Sequence, residues 1–397
     1  MARIRPVLAA FVAAPLLISC SLLSVRPTER SELDEPDYGR PLAPGEVALE
    51  KVTDPAEYPD FGQGFGDRDS MIRAIDGTLD YFRKPSSQQW WPYLDIDHAR
   101  SVASLEEFRR VLLEATSPTQ LDSMVRERFE VYRSKGWDGS GTVLFTGYCQ
   151  PIYDAREERT GEYRYPLYAL PTELRKDEFG TPLGWDTGGG IGPSPTREQF
   201  DAGLLEGRGL EMFWLRDKLE AYIVHVQGSA KLRLPSGELR SIGYAGKTEH
   251  EYVGLGQSLV GDGKIERGRL NLFAIKDYFR DHPEELDEYL NRNASYVFFT
   301  ETAGGPYGSL NIEVTPYRTL ATDKKVFPRG GITFSETVVP DLAGTMQPYT
   351  SFGVDQDTGG AIRSAGRADI FLGTGPEAER IAGGTHAEGR LSYIYLR

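Results

Sequence analysis

Two cysteines and five histidines in 397 residues leave little material for a zinc site. With only Cys20 and Cys149 present, at most one disulfide could form, and none if Cys20 is modified, so core packing must hold the chain. Several familiar catalytic signatures are missing: there is no Gly-x-Ser-x-Gly, no Walker loop and no His-Glu-x-x-His. Basic charge is scarce, with 45 Lys and Arg against 59 Asp and Glu for a net charge of −14. Nucleic acid and anionic membrane surfaces are poor partners for such a chain. A polar, neutral glycan is not disfavoured. No internal repeat, heptad or low-complexity block is present, and the single N-terminal apolar run is too short to span ~30 Å of bilayer.

What the chain does hold is glycine and tyrosine, 44 and 21 respectively, a mixture suited to turn-rich β structure with aromatic surfaces. Its 39% hydrophobic content suits a folded body, and its length suits two domains or one domain with a large insertion. The first residues read as an export signal. Arg3 and Arg5 precede the apolar run Val7 to Ile18, which closes on Leu17-Ile18-Ser19-Cys20. That ending resembles a bacterial lipobox, which implies cleavage after residue 19 and a lipid on Cys20. Ser21 rather than Asp after the Cys points, by analogy with Gram-negative sorting, to the outer membrane.

Residues 20–65 lack periodicity and are rich in Pro, Gly and acids, the composition of a flexible tether. Helical spacing follows at Ile72, Ile75, Leu79 and Phe82. Ser104-Leu105-Glu106-Glu107 has the capping-box pattern and would open a helix running through Leu113. Ser117-Pro118-Thr119-Gln120 would open another. Beyond Gly139 strands are expected at 142–148, 163–170 and 222–226, with a hairpin from Lys231 to Ile242 around Pro235-Ser236-Gly237-Glu238. Helical spacing returns at Leu272, Ile275 and Phe279 and again over 284–290, before a final β-rich stretch from Tyr296 to Tyr395. Strands on both sides of a differently patterned middle imply an inserted domain.

The C-terminal part carries the chemistry. Asp357-Thr358-Gly359-Gly360 sets an acid before two glycines, where backbone can approach a ligand closely. Asp369 follows in Arg367-Ala368-Asp369-Ile370-Phe371, and Asp323 precedes in Ala321-Thr322-Asp323-Lys324-Lys325. On residues alone, these three aspartates are equally readable as turn formers or a surface salt-bridge set. His225 and His250 read as structural hydrogen-bonding residues rather than ligands, and Cys149 has no His or Asn partner motif.

These three aspartate patterns resemble the "3D" module of the membrane-bound lytic murein transglycosylase A family. Phe145-Thr146-Gly147-Tyr148, Tyr165-Pro166-Leu167-Tyr168, Val226-Gln227-Gly228-Ser229, Gly243-Tyr244-Ala245-Gly246-Lys247, Tyr296-Val297-Phe298-Phe299 and Gly373-Thr374-Gly375 extend the likeness, in order, over about residues 140–397. Cys149-Gln150 and Thr248-Glu249 depart from the family pattern. The resemblance implies a mainly β fold with flanking helices. A double-psi β-barrel would be formed by 66–151 and 300–397, with a second β-rich domain inserted at 152–299.

It also implies cleavage of the MurNAc-β-1,4-GlcNAc bond of peptidoglycan, with the muramic C6 hydroxyl attacking its own C1 to leave a 1,6-anhydro end. Such an internal nucleophile lets one carboxyl suffice where ordinary glycosidases use two. Asp357 is then the expected general acid/base, with Asp369 and Asp323 supporting it. Tyr148, Gln227, Gly228, Ser229, Tyr244, Gly246, Gly359 and Gly360 are the expected sugar-binding residues. No metal or cofactor is implied. The partners implied are glycan strands and, through Cys20, outer-membrane lipid. The rival readings are an endoglucanase-like hydrolase and a non-catalytic peptidoglycan-binding lipoprotein.

Overall fold

A computed structural model describes residues 36–178 and 180–397. The export signal and Cys20 therefore lie outside the described residues. The expected tether is shorter than its composition suggests. Strand β1 (Leu49–Lys51) pairs antiparallel with β2 (Phe129–Ser134), and Phe61 is fully buried against Phe334 and Phe352. Two short 3-10 turns, capped by Asp54 and Asp60, carry this stretch across the body. A three-residue strand and single turns have no period, which is why the segment reads as unstructured.

Three helices follow: α1 (Arg68–Phe82), α2 (His98–Glu114) and α3 (Pro118–Arg128). Ser117 caps α3 as its sequence predicts, accepting from the Gln120 N–H at 3.2 Å. Helix α2 instead starts well before Ser104. Its cap is Asp97, which accepts from the Arg100 N–H at 2.7 Å. The Ser104 hydroxyl lies inside the helix, donating to the Arg100 carbonyl and accepting from the Leu396 N–H of the last strand. Asp97→Ala is expected to cost about 1 kcal/mol of stability, read as a lower urea midpoint at unchanged slope.

Strand β3 (Val143–Gln150) then leads into the insert. There β4 (Ile152–Arg156), β5 (Tyr165–Tyr168), β6 (Leu174–Lys176), β7 (Pro182–Asp186), β8 (Ile191–Gly192), β9 (Glu211–Leu215), β10 (Ser229–Arg233), β11 (Leu239–Lys247) and β12 (Val297–Thr302) follow in turn. The main insert sheet has the order β12-β11-β10-β4-β9-β5, and β6-β7-β8 form a small second one. Among its helices are α4 (Arg197–Asp201), α5 (Lys218–Gln227), α6 (Leu255–Gly261), α7 (Leu272–Asp281) and α8 (Leu286–Asn291).

The strand expected at 222–226 is the C-terminal half of α5. Asp217 caps this helix, and Gly228 ends it in the left-handed region at φ 73°. Its residues from Ala221 to His225 are all buried, so the run shows no polar face, and a short apolar run cannot distinguish strand from buried helix.

The chain returns through β13 (Thr319–Ala321), β14 (Ile332–Pro340), β15 (Met346–Asp357), β16 (Arg367–Thr374), α9 (Pro376–Gly384) and β17 (His386–Leu396). Strands β17-β14-β15-β13-β16-β3 follow one another, and β3 pairs back to β17, closing a six-stranded double-psi β-barrel. Two of its pairings are parallel, β13 with β15 and β16 with β3. Phe145, Leu320, Ile370, Leu391 and Tyr393 are fully buried within it. Helices α1 to α3 cover its other apolar surface, around Phe334, Phe352 and Val354.

Candidate active site

Parallel pairing places the C-terminal ends of β15 and β13 side by side, and β16 sets a further carboxylate beside β3. Asp357 is the last residue of β15. Its Oδ1 accepts from the backbone N–H groups of Ser309 and Thr358, both at 2.8 Å. Burial pushes its carboxyl up to about 6, against the pull of those N–H groups, Tyr148 and Lys324. The Tyr148 hydroxyl faces Asp357 without a well-formed hydrogen bond, and burial drives it well above the usual phenol range. The ring of Tyr148 packs against Phe371 at 5.2 Å.

Asp369 lies directly opposite Thr146 of β3. Its Oδ1 accepts from the Thr146 hydroxyl and pairs with Arg367 Nε at 3.2 Å. Arg367 also donates to the Thr146 hydroxyl and to the Ala361 carbonyl, both at 3.1 Å, fastening the loop after Asp357 to β16. The charges of Asp357, Asp369 and Asp355 add to that rise of the Tyr148 phenol.

Asp323 does something different. Its two oxygens accept from the Lys325 N–H at 3.0 Å and the Ser364 N–H at 2.8 Å, and it is 8% exposed. With both oxygens bonded to backbone, Asp323 clamps two loops rather than offering a carboxyl to a ligand.

A fourth acid escapes the sequence patterns. Asp355 is fully buried, ion-paired to Lys324, and accepts from the hydroxyls of Thr322 at 2.7 Å and Tyr393 at 2.8 Å. Burial raises its carboxyl and lowers the Lys324 amine, each opposed by the other's charge. The Asp355-x-Asp357 spacing on one strand is the signal that could have found it, because alternate residues share a face.

The expected sugar-binding residues divide. Gln227 Oε1 accepts from the Cys149 N–H at 3.1 Å, tying α5 of the insert to β3 of the barrel. Gly228 is the helix terminator, and a Cβ there would lie 3.9 Å from that of Tyr244. Ser229 is buried and opens β10 opposite Gly243. Gly246 follows a bulge in β11, where a Cβ would meet Leu170 at 2.7 Å. These four build the frame. Tyr244 is 50% exposed, as a sugar platform requires, and Tyr148 stands at the carboxyls. Gly359 and Gly360 lie on the loop after Asp357, where a Cβ on Gly360 would meet Tyr252 of the insert at 3.4 Å. Tyr252 thus brings the second domain onto the site, and nothing in its sequence neighbourhood marks it.

The two departures from the family pattern are internal. Gln150 accepts from the Thr374 hydroxyl at 3.2 Å, and Thr248 exchanges hydrogen bonds with the Tyr296 backbone. Glu249 accepts from the N–H and hydroxyl of Ser194. Burial pushes the Cys149 thiol up to about 12, the setting of an inert thiol. His225 Nδ1 accepts from the Val297 N–H, and His250 Nε2 bonds the Ser194 carbonyl, so both are structural. Among the described residues, His282, Glu284 and Glu285 could reach one cation, but Glu285 is already bonded to Lys264 and Tyr278.

A closed barrel with aspartates on neighbouring strands, interrupted by a second sheet domain, defines a recognisable class. Residues 318–395 match the 3D domain, and residues 144–300 match the MltA specific insert domain. The membrane-bound lytic murein transglycosylase A of Escherichia coli K12 is 30% identical over 267 residues, covering 66% of this chain and 68% of the relative. That of Vibrio cholerae is 32% identical over 261 residues, covering 64% of this chain and 66% of the relative. The crystal structure of the membrane-bound lytic murein transglycosylase from Agrobacterium tumefaciens superposes with a TM-score of 0.74 at 29% identity, over 88% of this chain and 98% of that one. The E. coli structure with bound chitohexaose, at 23% identity and a TM-score of 0.68, shares the fold over 91% of this chain and 98% of its own. The chain belongs to the membrane-bound lytic murein transglycosylase A family.

Proposed function

We propose that this protein is a peptidoglycan lytic transglycosylase, and that Asp357 is its general acid/base. The observation that carries the role is a half-buried carboxyl at the end of β15, held by two backbone N–H groups, with its pKa raised to about 6. Near neutral pH such a group can still give a proton to the departing glycosidic oxygen. As carboxylate it then takes the proton of the muramic C6 hydroxyl while that oxygen closes on C1. No water enters the product. The tethered nucleophile replaces the second carboxylate of a hydrolase, and good alignment offsets ~7–11 kcal/mol of barrier. The Ser309 and Thr358 N–H groups orient the carboxyl. Asp369, paired with Arg367, is a second carboxylate that could stabilise the positive charge developing on the sugar ring.

One observation favours a second assignment. Asp357 receives both of its N–H bonds from backbone, a pattern that also merely shapes a turn, whereas Asp369 sits on a regular strand held by side chains. The substitutions discussed below separate the two. The overall reading is tested by mass spectrometry of digested sacculi: anhydro ends support it, reducing ends indicate a hydrolase, and absence of products indicates a binding protein.

The Leu17-Ile18-Ser19-Cys20 sequence supports lipid attachment at Cys20 and a place on the periplasmic face of the outer membrane. Labelling cells with an alkyne palmitate analogue is expected to tag the wild type and not Cys20→Ala. Equal tagging of both would remove the assignment.

A further inference from the structure

Acids outnumber bases in this chain by 59 to 45, and most cations beside its folded core find a carboxylate. Three next to the cleft do not. Among the described residues, the side chains of Lys247, Lys325 and Arg363 have neither an ion pair nor a hydrogen bond, though they come from three separate segments. The fold forces them together. Asp323 binds the Lys325 N–H with one oxygen and the Ser364 N–H with the other, so the exposed Lys325 and Arg363 leave adjacent backbone. The Thr322 N–H donates to the Asp357 carbonyl at 3.0 Å, fixing that pair of loops to the end of β15. Lys247 ends β11 and leads into the segment whose Tyr252 packs on Gly360. Its amine is lowered by burial and by the charges of Arg363 and Lys325. Like charges from both domains are thus gathered near the end of β15, and the one carboxylate between their loops, Asp323, is bonded to backbone N–H groups and not to these side chains, an arrangement that a bound anion would stabilise.

We propose that Lys247, Lys325 and Arg363 form a carboxylate-binding subsite on the rim of the Asp357 cleft, which takes the acidic substituent of the muramic acid residues. The proposal rests on the peptidoglycan reading above and refines it. N-acetylglucosamine is neutral, whereas muramic acid bears a lactyl group whose carboxylate is either free or extended by a peptide with carboxylates of its own. A cationic rim therefore distinguishes murein from chitin-like strands and sets which sugar faces Asp357.

The test compares wild type with the Lys325→Gln/Arg363→Gln double variant, both residues being exposed, with folding checked by circular dichroism. Three ligands are used: chitohexaose, which has no carboxylate; murein strands stripped of peptide, which keep the lactyl carboxylate; and peptide-bearing strands. The double variant is expected to raise KM on at least one carboxylated strand about tenfold at low salt, with the gap shrinking as salt screens the charges. Its Kd for chitohexaose should match that of the wild type. Loss confined to peptide-bearing strands assigns the site to the peptide, and loss on both assigns it to the lactyl group. Unchanged KM on both strands, or an equal loss of chitohexaose binding, overturns the subsite. Absence of anhydro products from the wild type would instead defeat the functional reading on which it rests.

Discussion

Asp357→Asn is expected to lower anhydro-product formation by about 10²–10⁴-fold while binding to sacculi persists. Asn keeps the shape and can still accept from the Ser309 and Thr358 N–H groups, so what it removes is proton transfer. Asp369→Asn breaks the pairing with Arg367 and is expected to slow the reaction without changing its product. If the folded Asp369→Asn protein is dead and Asp357→Asn retains most activity, the acid/base role passes to Asp369.

The wild-type pH profile gives an independent reading. An acid at about 6 must be protonated in the free enzyme, so kcat/KM should fall roughly tenfold per pH unit above that value. Stability responds in the same direction. The folded-state value lies above the ordinary 3.8, so the carboxyl favours the fold at low pH and loses that contribution as pH rises through 6. Asp357→Asn should therefore be more stable than wild type at pH 7.5, by up to about 3 kcal/mol, with the gain vanishing near pH 4. Denaturant midpoints at the two pH values check the sign. A site that loses stability for function behaves this way, whereas a merely structural carboxylate would not.

Much of this was legible in the residues because local rules and global fold agree there. The Ser117 cap, the apolar stripe of α1 and the hairpin around Pro235 are each dictated by neighbours in sequence. The barrel was not. Its closure depends on β17 pairing with both β14 and β3, a non-local choice that alternation cannot encode and that entered through the family resemblance. Helix α5 was misread because the unbroken buried run from Ala221 to His225 erases the periodicity that distinguishes helix from strand. No pattern around Asp323 reveals that backbone N–H groups would occupy both of its oxygens. Tyr252 reaches the cleft by the fold of a long connection, so it carries no local mark at all. Candidate residues are legible where glycines and acids cluster, and illegible where tertiary approach alone brings them in.

The buried Asp355–Lys324 pair is where the barrel's stability and the site's chemistry meet. The two side chains are 0% and 6% exposed, so neither charge can turn to water when the other is removed. Lys324→Met is expected to destabilise the fold by about 3–5 kcal/mol at pH 7.5, read from denaturant unfolding. Its remaining bonds, from Thr322 and Tyr393, are neutral and cannot balance the charge of Asp355. Lowering the pH should recover part of the loss, because the raised Asp355 carboxyl takes up a proton and ceases to be a buried anion. The double variant Lys324→Met/Asp355→Leu removes both charges and should be markedly more stable than Lys324→Met alone. The catalytic consequence runs through distance rather than contact. Lys324 also favours the ionised form of Asp357, so its loss should move the alkaline fall in kcat/KM to higher pH. A Lys324→Met protein that unfolds more easily yet keeps the wild-type pH profile would show that the pair supports the barrel alone and does not tune the acid.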